Sequence, residues 1–375
     1  MKFNVSSSAL LSALQSVSKV IASKNTLPIL DSFLFNLEGE KLTITASDVE
    51  TRLITTVDVI HLDGGGLFAI EAKRLLDPLK ELPEQPLNFD VDDESMVVNV
   101  TYANGKFFIP GQRGDAYPLL RPLNETAISF TLESQILLNG INRSLFAIGE
   151  DELRPVMNGV YFDLLPENIT FVASDGHKLA RLRHLVELVN ESASFILPKK
   201  PANILKALLG KNSDRVEVTF DENSVHVVTP SFEMTSRLIE GRYPNYSAVI
   251  PQDNPNHAIV DRISFLSALK RVSVFSNQAT GLIKLQFEEN AINISAQDID
   301  FSTSGDETVF CQYTETPINI GFKALFLIDI VSNMTSENIV LQLADPSRAC
   351  VLIPQENEEK EDQLMLIMPM MLNEY

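Results

Sequence analysis

The chain repeats one pattern three times, and this repeat restricts the possible folds more than any other feature of the sequence. An apolar segment ends each time in Ala-x-Asp, and the three aspartates are spaced 127 and 123 residues apart, close to one third of the 375 residues. These aspartates are Asp48, Asp175 and Asp298. A lysine before a helical pattern recurs with the same two spacings, as Lys73, Lys200 and Lys323. The agreement of the two markers predicts a triplicated domain.

Each repeat is expected to contain two amphipathic helices and several short strands. Residues 6–21, for example, place Leu10 and Leu14 on one face of a helix. Similar patterns occur at 72–82, 133–148, 199–210, 262–276 and 323–334, and Pro78 should shorten or kink the first of these. Runs such as "KLTITAS" alternate as strands do. We therefore expect an α+β fold in which antiparallel sheets back pairs of helices. The expected domains cover residues 1–122, 126–253 and 256–375.

Basic residues are concentrated in the predicted helices, although the formal net charge of the chain is −20. Six segments that enclose the helices hold 14 of the 30 lysines and arginines but 5 of the 50 acidic residues, which leaves 16 basic against 45 acidic residues elsewhere. If these were ordinary solvated helix faces, glutamate would be equally common in them. A basic surface shared by six helices favours nucleic-acid phosphate as the partner. Since no recognition-helix or zinc signature accompanies it, we expect contact that is independent of base sequence.

A ring of helices around DNA sets a geometric condition. Six helices side by side, at about 10 Å each, give a diameter of about 19 Å, which is no wider than the roughly 20 Å of a duplex. Twelve helices give about 38 Å, which leaves room for DNA, water and ions. If the helices encircle DNA, two chains must therefore close the ring, and a head-to-tail dimer does this.

Several motifs, in order along the whole chain, make it resemble the bacterial DNA polymerase III β subunits, the sliding clamps. They are "TLPIL" at 26–30, "NGV" at 158–160, "ASDGHKLA" at 173–180, "EGRYPNY" at 240–246, "IGFKALFLIDIV" at 320–331 and "IMPMML" at 367–372. The resemblance implies three similar clamp domains and a homodimeric head-to-tail ring around double-stranded DNA. It also implies a groove between the second and third domains that binds short peptides of the polymerase α subunit, the clamp loader and other clamp-binding proteins.

The same resemblance assigns residues to this groove and to the dimer interface. The groove residues are Arg154, Met157, Ser174, Gly176, His177, Lys178, Leu179, Pro244, Val249, Phe326, Leu366, Met368, Pro369 and Met370. The expected interface anchors are Phe107, Phe108, Val274 and Phe275. Where the family commonly has an arginine near its C-terminus, this chain has Met371, and it continues with residues 373–375. The polar rim of the groove and its partner preference are expected to differ accordingly.

Basic residues are assigned to DNA on two grounds. The resemblance assigns Lys24, Lys73, Arg74, Lys199 and Lys200. The charge count alone adds Arg143, Lys206 and Lys270. An ordinary, sequence-independent DNA-binding scaffold that does not encircle its DNA is the alternative function.

Catalysis, metals and cofactors have little support in the sequence. Ser174, Asp175 and His177 are residue types of a hydrolase triad, but triads draw their partners from separate segments, and Gly176 between them is typical of a turn. The five histidines show no metal-ligand spacing. We therefore expect a non-enzymatic protein without metal or cofactor. No apolar run approaches the roughly 18 to 20 residues of a membrane span, and two cysteines suit a reducing cytoplasm.

Overall fold

The strands of this protein form where buried and exposed side chains alternate. In the strand Leu282–Glu288, the side chains of Ile283, Leu285 and Phe287 are fully buried, and those between them are partly exposed. Apolar β-branched and aromatic residues with this period of two place one face of a strand on a core. A computed structural model describes residues 1–118, 122–210 and 215–372.

The three repeats have the predicted α+β composition. The first contains β1 (Lys2–Ser6), α1 (Ser7–Val17), β2 (Ser32–Glu38), β3 (Lys41–Ser47), β4 (Thr51–Asp58), β5 (Ile60–Asp63), β6 (Gly66–Glu71), α2 (Ala72–Lys80), β7 (Pro86–Val91), β8 (Val97–Tyr102) and β9 (Gly105–Arg113). The second contains β10 (Ile128–Glu133), α3 (Ser134–Ser144), β11 (Gly159–Leu165), β12 (Asn168–Ser174), β13 (Lys178–Leu185), β14 (Ala193–Pro198), α4 (Lys199–Leu209), β15 (Arg215–Phe220), β16 (Ser224–Val228) and β17 (Glu233–Arg237). The third contains β18 (Asn256–Asp261), α5 (Arg262–Ser273), β19 (Leu282–Glu288), β20 (Ala291–Asp298), β21 (Thr303–Gln312), β22 (Ile318–Lys323), α6 (Ala324–Ser332), β23 (Asn338–Leu343), β24 (Cys350–Pro354) and β25 (Glu361–Ile367).

All six predicted helices are present, with shorter bounds than the sequence suggested. Helix α1 ends at Val17 and continues as a single 3₁₀ turn, whereas the periodicity extended to residue 21. Helix α2 ends two residues after Pro78, in agreement with the expected shortening. Among the described helices, none is both long and apolar enough to cross a membrane.

Contacts between residues divide the chain into two units, and the division does not follow the repeats. The first unit comprises residues 1–134 and 203–238, and the second comprises residues 135–202 and 239–375. In the first unit, 13 antiparallel strands form one sheet in the order β10-β15-β16-β17-β4-β3-β2-β6-β9-β8-β7-β1-β5. In the second, 12 strands form one sheet in the order β14-β11-β12-β13-β25-β24-β23-β18-β21-β20-β19-β22. Each sheet therefore combines strands of two repeats.

A single rule describes how neighbouring repeats share a sheet. The strand after the Ala-x-Asp turn of one repeat pairs with the last strand of the next repeat. Within the first unit, β4 follows Asp48 and pairs with β17. Within the second unit, β13 follows Asp175 and pairs with β25. The corresponding strand of the third repeat is β21, which follows Asp298, and the corresponding last strand of the first repeat is β9.

Candidate functional site

The segment from Ser174 to Lys178 forms a tight turn between β12 and β13, and its polar side chains hold that turn. One carboxylate oxygen of Asp175 accepts hydrogen bonds from the backbone amides of His177 and Lys178, both at 2.8 Å. The Ser174 hydroxyl donates to the Lys178 carbonyl at 2.8 Å and accepts from the Gly176 amide at 3.1 Å. Gly176 has a φ of +91°, which favours glycine.

This geometry does not provide a catalytic triad. The hydroxyl hydrogen of Ser174 is committed to a backbone carbonyl, and Asp175 also forms an ion pair with Lys178, whose ammonium lies 2.7 Å from the second carboxylate oxygen. Ser174 and Asp175 therefore stabilise the turn, and the exposed His177 side chain remains as the polar group that the turn presents. Among the described residues, no cluster of histidine, cysteine and carboxylate side chains could hold a metal ion.

The pairing of β13 with β25 builds an apolar layer behind the turn. Leu179 lies opposite Leu366, and both are buried, with 2% and 3% of their surface exposed. They belong to a cluster that includes Tyr243 and Val351. The Met368 amide donates to the His177 carbonyl at 2.8 Å, which continues the pairing beyond the end of β25. Of the predicted groove residues, Met157, Lys178, Leu179 and Leu366 are thus buried support, not open surface.

Exposed groove residues surround this layer. Arg154 forms an ion pair with Asp151 at 2.9 Å, and its second guanidinium nitrogen donates to the Asp175 carbonyl at 3.4 Å. Pro244 and Val249 are exposed in the segment that follows Tyr243. The ring of Tyr243 stacks on that of Tyr161 with 4.6 Å between the ring centroids, and this contact anchors the segment. Burial raises the pKa of the Tyr243 hydroxyl. The predicted groove residues described so far all lie within the second unit.

Phe326, in the first turn of α6, contributes an aromatic ring with three cationic or polar neighbours. The ring of His177 lies 6.0 Å away at an interplanar angle of 25°. The ammonium groups of Lys178 and Lys323 lie 4.2 Å and 4.7 Å from the ring centroid, within the range of cation–π interactions. Sequence reasoning used Lys323 as a repeat marker and missed this contact. The sequence signal for this contact was the position of Lys323 three residues before Phe326, at the start of a helix.

The chain after β25 contacts strand β22. The Met370 amide donates to the Gly321 carbonyl at 2.7 Å, and these two residues form an isolated antiparallel bridge. A Cβ atom at Gly321 would lie 2.7 Å from the Met370 carbonyl oxygen, so this approach requires glycine. Pro369 and Met370 are half-buried and Met368 is 42% exposed. Residues 373–375, expected to influence partner preference, lie outside the described residues.

Most of the basic residues assigned to DNA carry exposed side chains. Lys24, Lys73, Arg74, Lys199, Lys206 and Lys270 are exposed and Lys200 is half-exposed. Arg74 pairs with Glu71 in the same helical turn, at 2.6 Å. Lys199 pairs with Glu150 and lowers the pKa of that carboxyl by hydrogen bonding and charge attraction. The carboxylates at these two positions reduce the positive charge available to a phosphate.

Arg143 lies in a different environment from the other basic residues. Its side chain is only 9% exposed and pairs with Glu358 at 2.6 Å and with Glu361 at 2.5 Å. Asn139, one turn earlier in α3, also donates to Glu361. A guanidinium held between two carboxylates in this way does not favour the phosphate contact that the charge count predicted.

Apart from the terminal strands of the two sheets, β9 and β21 are each unpaired on one side over most of their described length. Residues 105–110 of β9 pair with β8 alone, because β9 reaches β6 only from residue 111 onward. Residues 303–310 of β21 pair with β20 alone. Exposed apolar side chains line both edges: Phe108 is 72% exposed on β9, and Phe310 is 71% exposed on β21. The other predicted interface anchors are Phe107, which is half-exposed, and Val274 and Phe275, which are exposed.

Comparison with known proteins gives one family for the whole chain. Models of the N-terminal, central and C-terminal domains of the DNA polymerase III beta subunit match residues 1–121, 131–245 and 247–371. The beta sliding clamps of Pseudomonas putida and Escherichia coli are each 26% identical to this chain, and the alignments cover 99% of it and 100% of each relative.

Solved structures agree with the sequence comparison. The DNA polymerase III subunit beta of Pseudomonas aeruginosa matches with a TM-score of 0.93 at 25% identity, over 99% of this chain and 100% of that one. A second crystal structure of the Pseudomonas aeruginosa clamp, bound to griselimycin, matches with a TM-score of 0.94 at 25% identity and with the same coverage.

Proposed function

Since this chain belongs to the DNA polymerase III β subunit family and is a sliding clamp of that polymerase, we propose that two copies close head to tail around duplex DNA. As a clamp, it is a processivity factor and not a catalytic subunit. The ring keeps the polymerase on DNA during replication in the cytoplasm.

The two open strand edges carry the proposal of a head-to-tail ring. Within one chain, the strand after each Ala-x-Asp turn pairs with the last strand of the next repeat, and this happens twice. In the third repeat, no described strand pairs with the corresponding edge of β21, and in the first repeat, none pairs with the corresponding edge of β9. If a second copy follows the same rule, β21 of one copy pairs with β9 of the other, and two such contacts close a ring.

Exposed lysines support contact between the ring and DNA. Lys73, Lys206 and Lys270 lie on three helices, one from each repeat, and none of them forms an ion pair among the described residues. Each provides a point charge for a phosphate without reading bases.

We further propose that the groove around the Asp175 turn binds peptides of the polymerase α subunit, the clamp loader and repair proteins. Phe326, Val249 and Met368 form the apolar surface of this groove.

Release from DNA distinguishes a ring from an ordinary DNA-binding scaffold. The clamp, loaded on nicked circular DNA by a clamp loader and ATP, is expected to stay bound at a salt concentration that removes it from linear DNA of the same sequence. Cutting the circle should then release it. Equal dissociation from circular and linear DNA would show that the protein binds as a scaffold and does not encircle the DNA.

The strand edges can be tested in the same preparation. Phe108→Lys places a charge in the proposed interface and is expected to give a monomer in sedimentation experiments. Ile60→Lys is the matched control, because Ile60 is 66% exposed on the edge strand β5 and lies outside the proposed contact. A Phe108→Lys protein that remains a dimer would contradict the assigned edge.

A shortened chain tests the groove separately from the ring. A chain that ends at Ile367 lacks the segment that pairs with Gly321, and we expect it to form dimers but to lose griselimycin. Normal griselimycin binding by this shortened chain would contradict the groove assignment.

A further inference from the structure

A cleft of about 480 Å³ lies in the first unit, between one face of α1, the end of β4 and the turn before β17. Its two charged residues are Asp58 and Glu233, and both are exposed. Of the described residues that line it, none is lysine, arginine or histidine. The α1 face contributes only small side chains, from Ala9, Ser12, Ala13 and Ser16. The cleft is therefore acidic, and its helical wall is formed by short residues.

Two serines of this wall occupy positions that hold longer polar side chains in the second unit. Helices α1 and α3 begin and end 127 residues apart, which is the spacing of the first two repeats. Ser16 therefore corresponds to Arg143. Ser12, one turn earlier, corresponds to Asn139. Both residues of the second unit donate hydrogen bonds to Glu361. In the first unit, the helix lacks the guanidinium and the amide that bind a carboxylate there.

The strand wall of the cleft shows the same difference. Strands β4 and β13 also begin and end 127 residues apart. Ile54 therefore corresponds to Arg181, and Thr56 to Arg183. Both of these arginines pair with Asp362, at 2.6 Å and 3.8 Å. The second unit thus supplies its own guanidinium groups at positions where the first unit has isoleucine, threonine and serine.

Hydroxyl groups of the cleft present hydrogen-bond acceptors. The Ser16 hydroxyl donates to the Ser12 carbonyl at 2.9 Å, and the Thr55 hydroxyl donates to the Ser231 carbonyl at 2.9 Å. A hydroxyl has one hydrogen, so both oxygens retain only lone pairs for a ligand, and carboxylates are acceptors as well. This set of groups favours a ligand that is rich in N–H donors and disfavours an anion such as phosphate.

The two carboxylates keep their negative charge available. Glu233 lies 3.6 Å from the Nε2 atom of His226, and this histidine is neutral unless it is protonated. Asp58 forms no ion pair among the described residues, although Lys41 lies opposite it on β3. A cationic ligand would therefore meet two carboxylates that no guanidinium of the described chain neutralises.

We propose that this cleft binds a guanidinium group carried on an aliphatic stem, which takes the role that arginine side chains have in the second unit. A guanidinium has five N–H donors in one plane and matches carboxylates in a bidentate manner. Its stem would lie against the apolar side chains of Ala9, Ala13 and Ile54. The arginine side chain of a peptide and a small guanidinium compound share this chemistry.

The test measures the binding of agmatine, a guanidinium on a four-carbon stem with a terminal amine, to the full chain by calorimetry. Putrescine, which has an amine at both ends of the same stem, is the matched probe. Agmatine should bind about fivefold more tightly, the gain from one additional charge-assisted hydrogen bond. An acetylated Ala-Arg-Ala amide then distinguishes the two sources: tighter binding than agmatine indicates a protein arginine, and weaker binding indicates a small compound.

Variants of the cleft locate the binding site. Asp58→Asn and Glu233→Gln should each weaken agmatine by about fivefold, the upper range for an exposed ion pair. Ser16→Arg should abolish binding, because it places a guanidinium inside the cleft as Arg143 does in the second unit. Gln15→Arg is the matched control, since Gln15 is exposed on the same helix outside the cleft and should leave agmatine binding unchanged.

Several outcomes would overturn this inference. It is wrong if agmatine shows no saturable binding, if putrescine binds equally well, or if Ser16→Arg and Gln15→Arg have the same effect. If Ser16→Arg does not fold, the combined Asp58→Asn and Glu233→Gln replacement decides, and unchanged agmatine binding by that protein contradicts the site. None of these measurements requires DNA, a second copy or a peptide in the groove, so they leave the proposed function untouched.

Discussion

Replacement of Arg143 distinguishes a structural role from a role in DNA binding. In the structure, the Arg143 guanidinium joins α3 to two carboxylates near the start of β25, whereas the charge count alone assigned it to DNA. We predict that Arg143→Met destabilises the folded protein and leaves DNA retention unchanged for the fraction that remains folded.

The structure gives a magnitude for this loss of stability. Removal of one partner from a buried ion pair costs about 3 to 5 kcal/mol, because the other charge stays buried without compensation. The Glu361 side chain is 5% exposed, so it cannot regain water, but it keeps the Asn139 amide at 3.2 Å. Glu358 is 53% exposed and is rehydrated. We therefore expect a loss near the lower limit, about 3 kcal/mol.

Urea unfolding followed by circular dichroism measures this loss, and a double-mutant cycle isolates the pair. Arg143→Met combined with Glu361→Gln leaves no buried charge without a partner, because the remaining Glu358 is exposed, so the two replacements should be coupled by about 2 kcal/mol. Arg271→Met is the matched control from the third repeat, because Arg271 pairs with Glu307 on the surface, where 61% of its side chain is exposed, and should lose little stability.

The opposite result would refute the structural role of Arg143. If Arg143→Met unfolds at the same urea concentration as the unmodified protein and dissociates from circular DNA more readily, Arg143 contacts phosphate. Lys206→Gln provides the comparison, since it should weaken DNA retention without a change in stability.

Three other predictions concern a turn, the salt dependence and the pH dependence. Gly176→Ala should reduce the free energy of unfolding by about 1 to 2 kcal/mol and weaken griselimycin binding, because φ is +91° and the new Cβ would lie 2.9 Å from a guanidinium nitrogen of Arg154. The control is Gly39→Ala, where the new Cβ has no atom within 4 Å, and this change should affect stability alone. Lys206→Gln should reduce by about one the slope of the logarithm of DNA affinity against that of salt concentration. Burial raises the pKa of Tyr117 to about 12, so the folded state holds the phenol proton more tightly than the unfolded state, and the free energy of unfolding should fall between about pH 10 and 12. Tyr117→Phe removes this proton, so its free energy of unfolding should fall less over the same interval. An alkaline unfolding transition that is unchanged in Tyr117→Phe would contradict this.

The repeat, the fold class and the family were predictable from the sequence, because their signals are local or recur at fixed spacing. All six helices follow from periodicity, and the Ala-x-Asp motif marks the same turn in each repeat. Contacts between side chains of different repeats, and the burial that results from them, were not predictable. Arg143 is 215 and 218 positions away from its two carboxylates, and no local pattern connects them.

In the groove, too, the sequence did not show which of the assigned residues are buried and which are exposed. The family resemblance assigned Leu179 and Leu366 to the groove, and only the register of β13 and β25 shows that they lie opposite each other and are buried. Lys323 was missed because a lysine beside a phenylalanine on a helix has many ordinary explanations. The residue roles in the groove and the domain boundaries at 122, 126, 253 and 256 remain predictions.

The sharing of sheets between repeats limits how this protein can be dissected. Three homologous segments suggest three modules that could be expressed or exchanged one at a time. However, the central repeat contributes residues 135–202 to one unit and 203–238 to the other. A cut between the first and second repeats would strip β17 from β4, and a cut between the second and third would strip β25 from β13. Each fragment would carry a bare strand edge that invites aggregation, so the unit that was duplicated is not the unit that folds.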